Sequence, residues 1–169
     1  LAVVLGGLWP YYKGSNLLRS RYPQIDTHLS AHSDTLLSLD LEDTLSRGVA
    51  PADLFRILHH PGKKFRGLDE IAYTFRQHDP IDYLLLTRED VGGIWNNVPR
   101  NLLTLSPGQW MEFGFYPLQQ WADENGIDIE VNDLIIKHQL LDYYHSVPER
   151  FGQTNHIRTG ENVISVEPH

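Results

Sequence analysis

Histidine is the residue type with most chemical potential here, nine copies in 169 residues, and two groups of them have the spacing a metal site uses. His28 and His32 stand four apart in His-Leu-Ser-Ala-His, which on a helix puts both imidazoles on one face, a turn apart. At about 100° per residue, Ile25, Leu29, Leu36 and Leu39 share that face. Apolar surroundings keep imidazole neutral and able to ligate. Later in the chain Leu134, His138, Leu141 and His145 form a second stripe, with Asp142 one turn from His138. Two facing helices would offer His28, His32, His138 and Asp142 to one divalent transition metal, such as zinc, iron or manganese, with an open position for water. The ion would then supply hydroxide near neutral pH, the chemistry of a hydrolase. Neither His-Glu-x-x-His nor Glu-x-x-His occurs, however. Hydrogen-bonded histidines in or beside the core give the same spacing, so no cofactor is the first expectation and the metal enzyme the alternative.

Other motifs are weaker. His78-Asp79 has the form of a phosphohydrolase dyad, but Asp79 before Pro80 is already accounted for as a helix cap. The run from His59 to Lys64 would hold an anion through its loop and basic side chains, yet it lacks the spacing of a P-loop. No Gly-x-Ser-x-Gly elbow and no Gly-x-Gly-x-x-Gly fingerprint is present. With no cysteine, thiol nucleophiles, disulfides and Cys-ligated metals are excluded together.

The aromatic residues suggest a different role. Trp9, Tyr11 and Tyr12 crowd around Pro10, and Trp110, Phe113, Phe115, Tyr116 and Trp121 fall within one short region. Most should be core. The adjacent pairs Tyr11-Tyr12, Phe115-Tyr116 and Tyr143-Tyr144 cannot all point inward from a helix, so some aromatic surface should remain outside. Trp and Tyr are what interfaces use as anchors, which nominates Trp9, Tyr11, Tyr12, Trp110 and Trp121 as interaction residues. A small-molecule pocket along the Trp110 to Trp121 stripe is a further option.

The elements needed to position these residues read mostly as helices. Gly and Pro divide the chain into stretches of about 12 to 20 residues. Helices are expected over Ile25 to Leu45, Asp53 to His60 and Leu68 to Gln77, then from Asp79-Pro80 through Leu86. Another follows the capping box Ser106-Pro107-Gly108-Gln109, kinked near Phe113 by Pro117 and ended at Gly126. The last runs from Asp133 to Ser146, with Pro148 and Gly152 marking its exit. Val163 to Val166 alternates as an arm or edge strand.

The fold expected is therefore mainly α. It is a single compact multi-helix domain over residues 1–169 with at most a minor β element. Residues 1–22 form an apolar and aromatic N-terminal arm, 23–151 the helical core and 152–169 a C-terminal arm. Leu1 in place of Met suggests a processed or excised segment. The apolar opening is far too short to span a bilayer, and no other stretch approaches a transmembrane length. A net charge of −8 argues against duplex nucleic acid as a partner. The function these features favour is a non-catalytic interaction or structural subunit, docking on other protein subunits through aromatic patches and terminal arms.

Overall fold

The computed structural model describes residues 2–59 and 72–167. The chain divides into two compact units, one built from Leu8–His78 and the other from Leu1–Gly7 with Asp79–His169.

The Leu8–His78 unit begins with strand β1 (Leu8–Tyr12), which pairs antiparallel with β2 (Tyr73–Gln77), Tyr12 opposite Tyr73 and Leu8 opposite Gln77. Aromatic and β-branched side chains suit a pleated, half-buried surface. Pro10, which has no N–H to give, is tolerated because each strand here has only one neighbour. Helices α2 (Asn16–Arg21) and α3 (Pro23–Ala31) follow, the first capped by Ser15, whose Oγ accepts the Leu18 N–H at 3.2 Å. After them come α4 (Leu41–Ser46), capped by Asp40, and α5 (Pro51–His59). Leu17, Leu18, Ile25, Leu29, Val49 and Leu54 make the core of this unit.

The other unit opens with α1 (Ala2–Leu5). Strand β3 (Leu85–Thr87) pairs in parallel with β6 (Ile157–Thr159), and β4 (Leu103–Pro107) pairs antiparallel with β5 (Leu134–Ile136) across an irregular register. Helix α6 (Leu118–Asn125) ends at Gly126, which takes the left-handed C-cap, and α7 (Lys137–Arg150) is the longest described element. Buried Tyr116, Leu118, Trp121, Ile135, Leu140 and Tyr143 dominate the core. Among the described residues no helix is long and apolar enough to cross a membrane.

The mainly α expectation is overturned. Six strands in three two-stranded sheets make the described fold mixed α/β. Several segments account for the change. The predicted Ile25 to Leu45 helix stops at Ala31, because Asp34 and Thr35 offer the backbone competing bonds: Asp34 Oδ1 accepts the Thr35 N–H at 2.7 Å, and Thr35 Oγ1 donates to the Pro10 carbonyl at 2.9 Å. Tyr73–Gln77, read as helical from its apolar spacing, is the partner strand of β1, and residues 8–12 of the expected N-terminal arm are that ribbon's other half. Leu85–Thr87 is likewise a strand. The capping box at Ser106 to Gln109 instead ends β4 in a 3-10 turn over Gly108–Trp110, and Pro117 precedes α6 rather than kinking it. Gly126 ends its helix where expected, and Pro51–His59 is helical. Residues 60–71, including most of the His59 to Lys64 loop and the start of the predicted third helix, lie outside the described residues.

Candidate functional site

The four nominated metal ligands are divided between the units. His28 and His32 lie in Leu8–His78, His138 and Asp142 in the other. His32 falls just past the end of α3, so the two imidazoles do not share one helical face. His28 Nε2 lies 3.1 Å from Thr44 Oγ1, and His32 Nε2 lies 3.0 Å from the Thr35 carbonyl. The His138 Nδ1 is buried without a hydrogen-bond partner, while Asp142 is exposed. Among the described residues, no group of three or more His, Asp or Glu side chains is arranged to hold a metal ion.

The N-terminal aromatics are built into the β1–β2 ribbon. The His78 ring stacks on Trp9 with centroids 4.2 Å apart, and its Nε2 lies 2.8 Å from the Tyr11 hydroxyl. Tyr11 is buried under the Arg76 guanidinium, 4.1 Å from the ring centre. Tyr12 donates to Asp26 at 2.6 Å, and Arg19 Nε donates to the other carboxylate oxygen at 3.3 Å. Burial opposes ionisation of Asp26, but these two bonds outweigh it and hold the carboxyl below its ordinary range. Burial, reinforced by the bond to Asp26, pushes the Tyr12 phenol well above its ordinary value.

Trp121 is also core, edge-on to Tyr143 with centroids 5.7 Å apart. Trp110 alone of the five nominated residues is classed as exposed. Each adjacent aromatic pair divides: Tyr11, Tyr116 and Tyr143 are buried, and Tyr12, Phe115 and Tyr144 are half-buried. Only Tyr143-Tyr144 lies on a helix, however, while Tyr11-Tyr12 lies on a strand, whose successive side chains point to opposite faces.

Two features of the Asp79–His169 unit were missed by sequence reasoning. The first is the β4–β5 ribbon. Thr104 and Ile135 face inward and are buried, with the Ile135 N–H donating to Thr104 Oγ1 at 3.1 Å. Their neighbours Leu103, Leu105 and Leu134 turn the other way and are 50%, 99% and 43% exposed. A sheet face left to water usually shows the opposite pattern, polar out and apolar in. The alternation Leu103-Thr104-Leu105-Ser106 was the available signal, hidden because Ser106 was read as a helix cap.

The second is a cavity of about 310 Å³ beside α7, walled by Val3, Phe113, Phe115, Tyr144, Val147 and Ile157. Its base is pinned by Tyr143, whose hydroxyl accepts the Phe113 N–H at 2.8 Å and donates to the Tyr116 carbonyl at 2.5 Å. Tyr144 donates to the Met111 carbonyl at 2.9 Å, and burial pushes its phenol up to about 12. Gly92 completes the wall. Its φ of +98° is one that side-chain-bearing residues avoid, and a Cβ there would fall 2.5 Å from Leu141 Cδ1.

Across nearly its whole length the chain is similar to two mammalian proteins. One is human oxidative stress-induced growth inhibitor 2, with 28% identity over 98% of this chain and 34% of that protein. The other is mouse oxidative stress-induced growth inhibitor 1, with 28% identity over 99% of this chain and 36% of that protein. The chain thus spans about a third of the length of these relatives. No protein-family model and no solved structure matches it.

Proposed function

We propose that this chain is a non-catalytic docking module of a growth-regulatory protein, and that the leucine face of the β4–β5 ribbon is its docking surface. The observation that carries this is the inverted alternation: a threonine buried and three leucines turned outward on two short paired strands. Fully burying a leucine contributes about 1.5–3 kcal/mol, so a covered face of this kind would contribute substantially to an assembly. Trp110, exposed three residues beyond β4, supplies the aromatic anchor that interfaces favour.

The occupant we propose is a protein body with an apolar face, the counterpart of the other two thirds of the relatives' length. A chain matching only about a third of each relative has that much further polypeptide as its counterpart. The relatives' names, growth inhibitors induced by oxidative stress, support a regulatory setting for the docking.

The test is a comparison of the tagged chain with its Leu103→Lys/Leu105→Lys variant by size exclusion of cell extract. The wild type should elute in an assembly larger than its own 19.4 kDa. The variant should elute as the free chain with an unchanged thermal midpoint, since neither leucine is in the core. Co-elution of both with the larger assembly would overturn the proposal.

A further inference from the structure

The aromatic cavity beside α7 is a separate feature from the leucine ribbon, and its chemistry is distinctive. Phe113 and Phe115 stack with centroids 5.1 Å apart and planes 9° from parallel, yet Phe113 is still 36% exposed. The hub of this cluster, Tyr143, meets four rings and is fully buried, whereas Phe113 faces an open space. Aliphatic Val3, Val147 and Ile157 form other walls of that space. At about 310 Å³ the space lies at the lower end of the range for small-molecule pockets, enough for a fused two-ring molecule.

The cavity adjoins a cleft of about 400 Å³, the two sharing Val91 and Pro148 in their walls. Asp90 and Glu149 line this cleft, and among the described residues no Lys or Arg does. The one basic side chain, His145, has its Nε2 2.7 Å from the Val91 carbonyl, so it donates a bond there. Arg150, the residue after Glu149, is paired with Glu124 at 2.7 Å. An apolar slot opening on a carboxylate-lined rim selects for a ligand of matching asymmetry, because low-dielectric walls focus the rim's field. Aromatic faces add attraction for a nearby cation.

We infer that this cavity and cleft bind a small, flat, mostly apolar molecule with a cationic end, an aryl or heteroaryl amine in chemical class. The ring system occupies the slot between Phe113, Phe115 and Tyr144, and the ammonium group lies at the rim toward Glu149 and Asp90. The proposal does not depend on the docking role of the leucine ribbon.

The experiment titrates 2-naphthylmethylammonium and, separately, naphthalene-2-sulfonate into the full chain, followed by calorimetry and ligand-observed NMR. The cation should saturate a single site roughly fivefold more tightly than the anion at low ionic strength, the preference two exposed carboxylates give. Glu149→Gln should remove about half of that preference, weakening the cation and slightly tightening the anion. Ile157→Trp, which places a large ring in the slot from a short edge strand, should weaken both probes at least tenfold. Phe115→Leu, a milder change, should weaken both about threefold through the lost stacking. Absence of saturable cation binding up to millimolar concentration would overturn the inference. So would equal affinity for the two probes, or binding unaffected by Ile157→Trp and Phe115→Leu in variants that keep the wild-type thermal midpoint.

Discussion

Tyr143 offers the sharpest test of how the aromatic site is built. Its side chain is fully buried, and its hydroxyl makes two bonds to backbone, accepting from the Phe113 N–H and donating to the Tyr116 carbonyl. Those same two residues close a tight turn, with the Tyr116 N–H donating to the Phe113 carbonyl at 3.0 Å. Tyr143→Phe keeps the ring, its packing against Trp121 and its place in the core, and removes only the oxygen. A buried donor left without a partner costs about 1–3 kcal/mol, and a typical net bond contributes about 1 kcal/mol. The Phe113 N–H has no ready substitute, whereas the Tyr116 carbonyl loses a single bond. The expected loss is therefore about 2–4 kcal/mol, large against a total stability of about 5–15 kcal/mol. Urea denaturation followed by tryptophan fluorescence measures it, with Tyr144→Phe as the control. The Tyr144 hydroxyl makes one bond, to the Met111 carbonyl of a half-buried turn, so its removal should cost about 1 kcal/mol. A Tyr143→Phe protein within about 0.5 kcal/mol of wild type, or no less stable than Tyr144→Phe, would refute the claim that this hydroxyl holds the 113–116 turn in place.

Gly92→Ala should destabilise by about 1–3 kcal/mol, since it combines an unfavourable positive φ with a collision against Leu141; a thermal midpoint equal to wild type would contradict this. Asp26 sets an acid-side prediction. Its folded carboxyl titrates below the ordinary 3.8, so its contribution is present above that pH and is lost as pH falls through the folded value. Removing one of its two donors with Tyr12→Phe should raise the pH of acid unfolding seen by far-UV dichroism, and an unchanged midpoint would count against the pairing. On the alkaline side, the raised Tyr12 phenol contributes stability that is present below about pH 10 and is lost as pH rises further, a loss Tyr12→Phe should abolish.

The parts of the fold legible in the sequence were those fixed by local chemistry. Gly126 ends its helix because a left-handed C-cap suits glycine, and Pro51 opens a helix because its missing N–H is not needed there. The misread segments were those whose partners lie far away in sequence. Tyr73–Gln77 has apolar residues at helical spacing, and only its pairing with Leu8–Tyr12, more than sixty residues earlier, makes it a strand. The late helix was placed correctly in its centre but started too early, because Leu134–Ile136 pairs with β4 before the helix begins. The same limit applied to the site. That Tyr143 and Tyr144 must diverge was readable from helix geometry, and they split into a buried and a half-buried ring, whereas Tyr11 and Tyr12 split because they sit on a strand. Which ring faces the core was not, since Trp121 and Tyr11 are buried by contacts that spacing alone does not reveal. The histidine pairs show the reverse case: a suggestive period of four, broken when Asp34 and Thr35 stop the helix short of His32's expected place on it.

The proposed docking role rests on whether Leu105 is covered when the protein is at work. A photocrosslinking residue placed at position 105, with another at exposed Glu130 as control, measures this directly in the cell. A single discrete product from position 105, identified by mass spectrometry as a protein body related to the other two thirds of the growth-inhibitor relatives, is the result expected. Crosslinking from position 105 no stronger than from position 130, or only to a second copy of this chain, would contradict it.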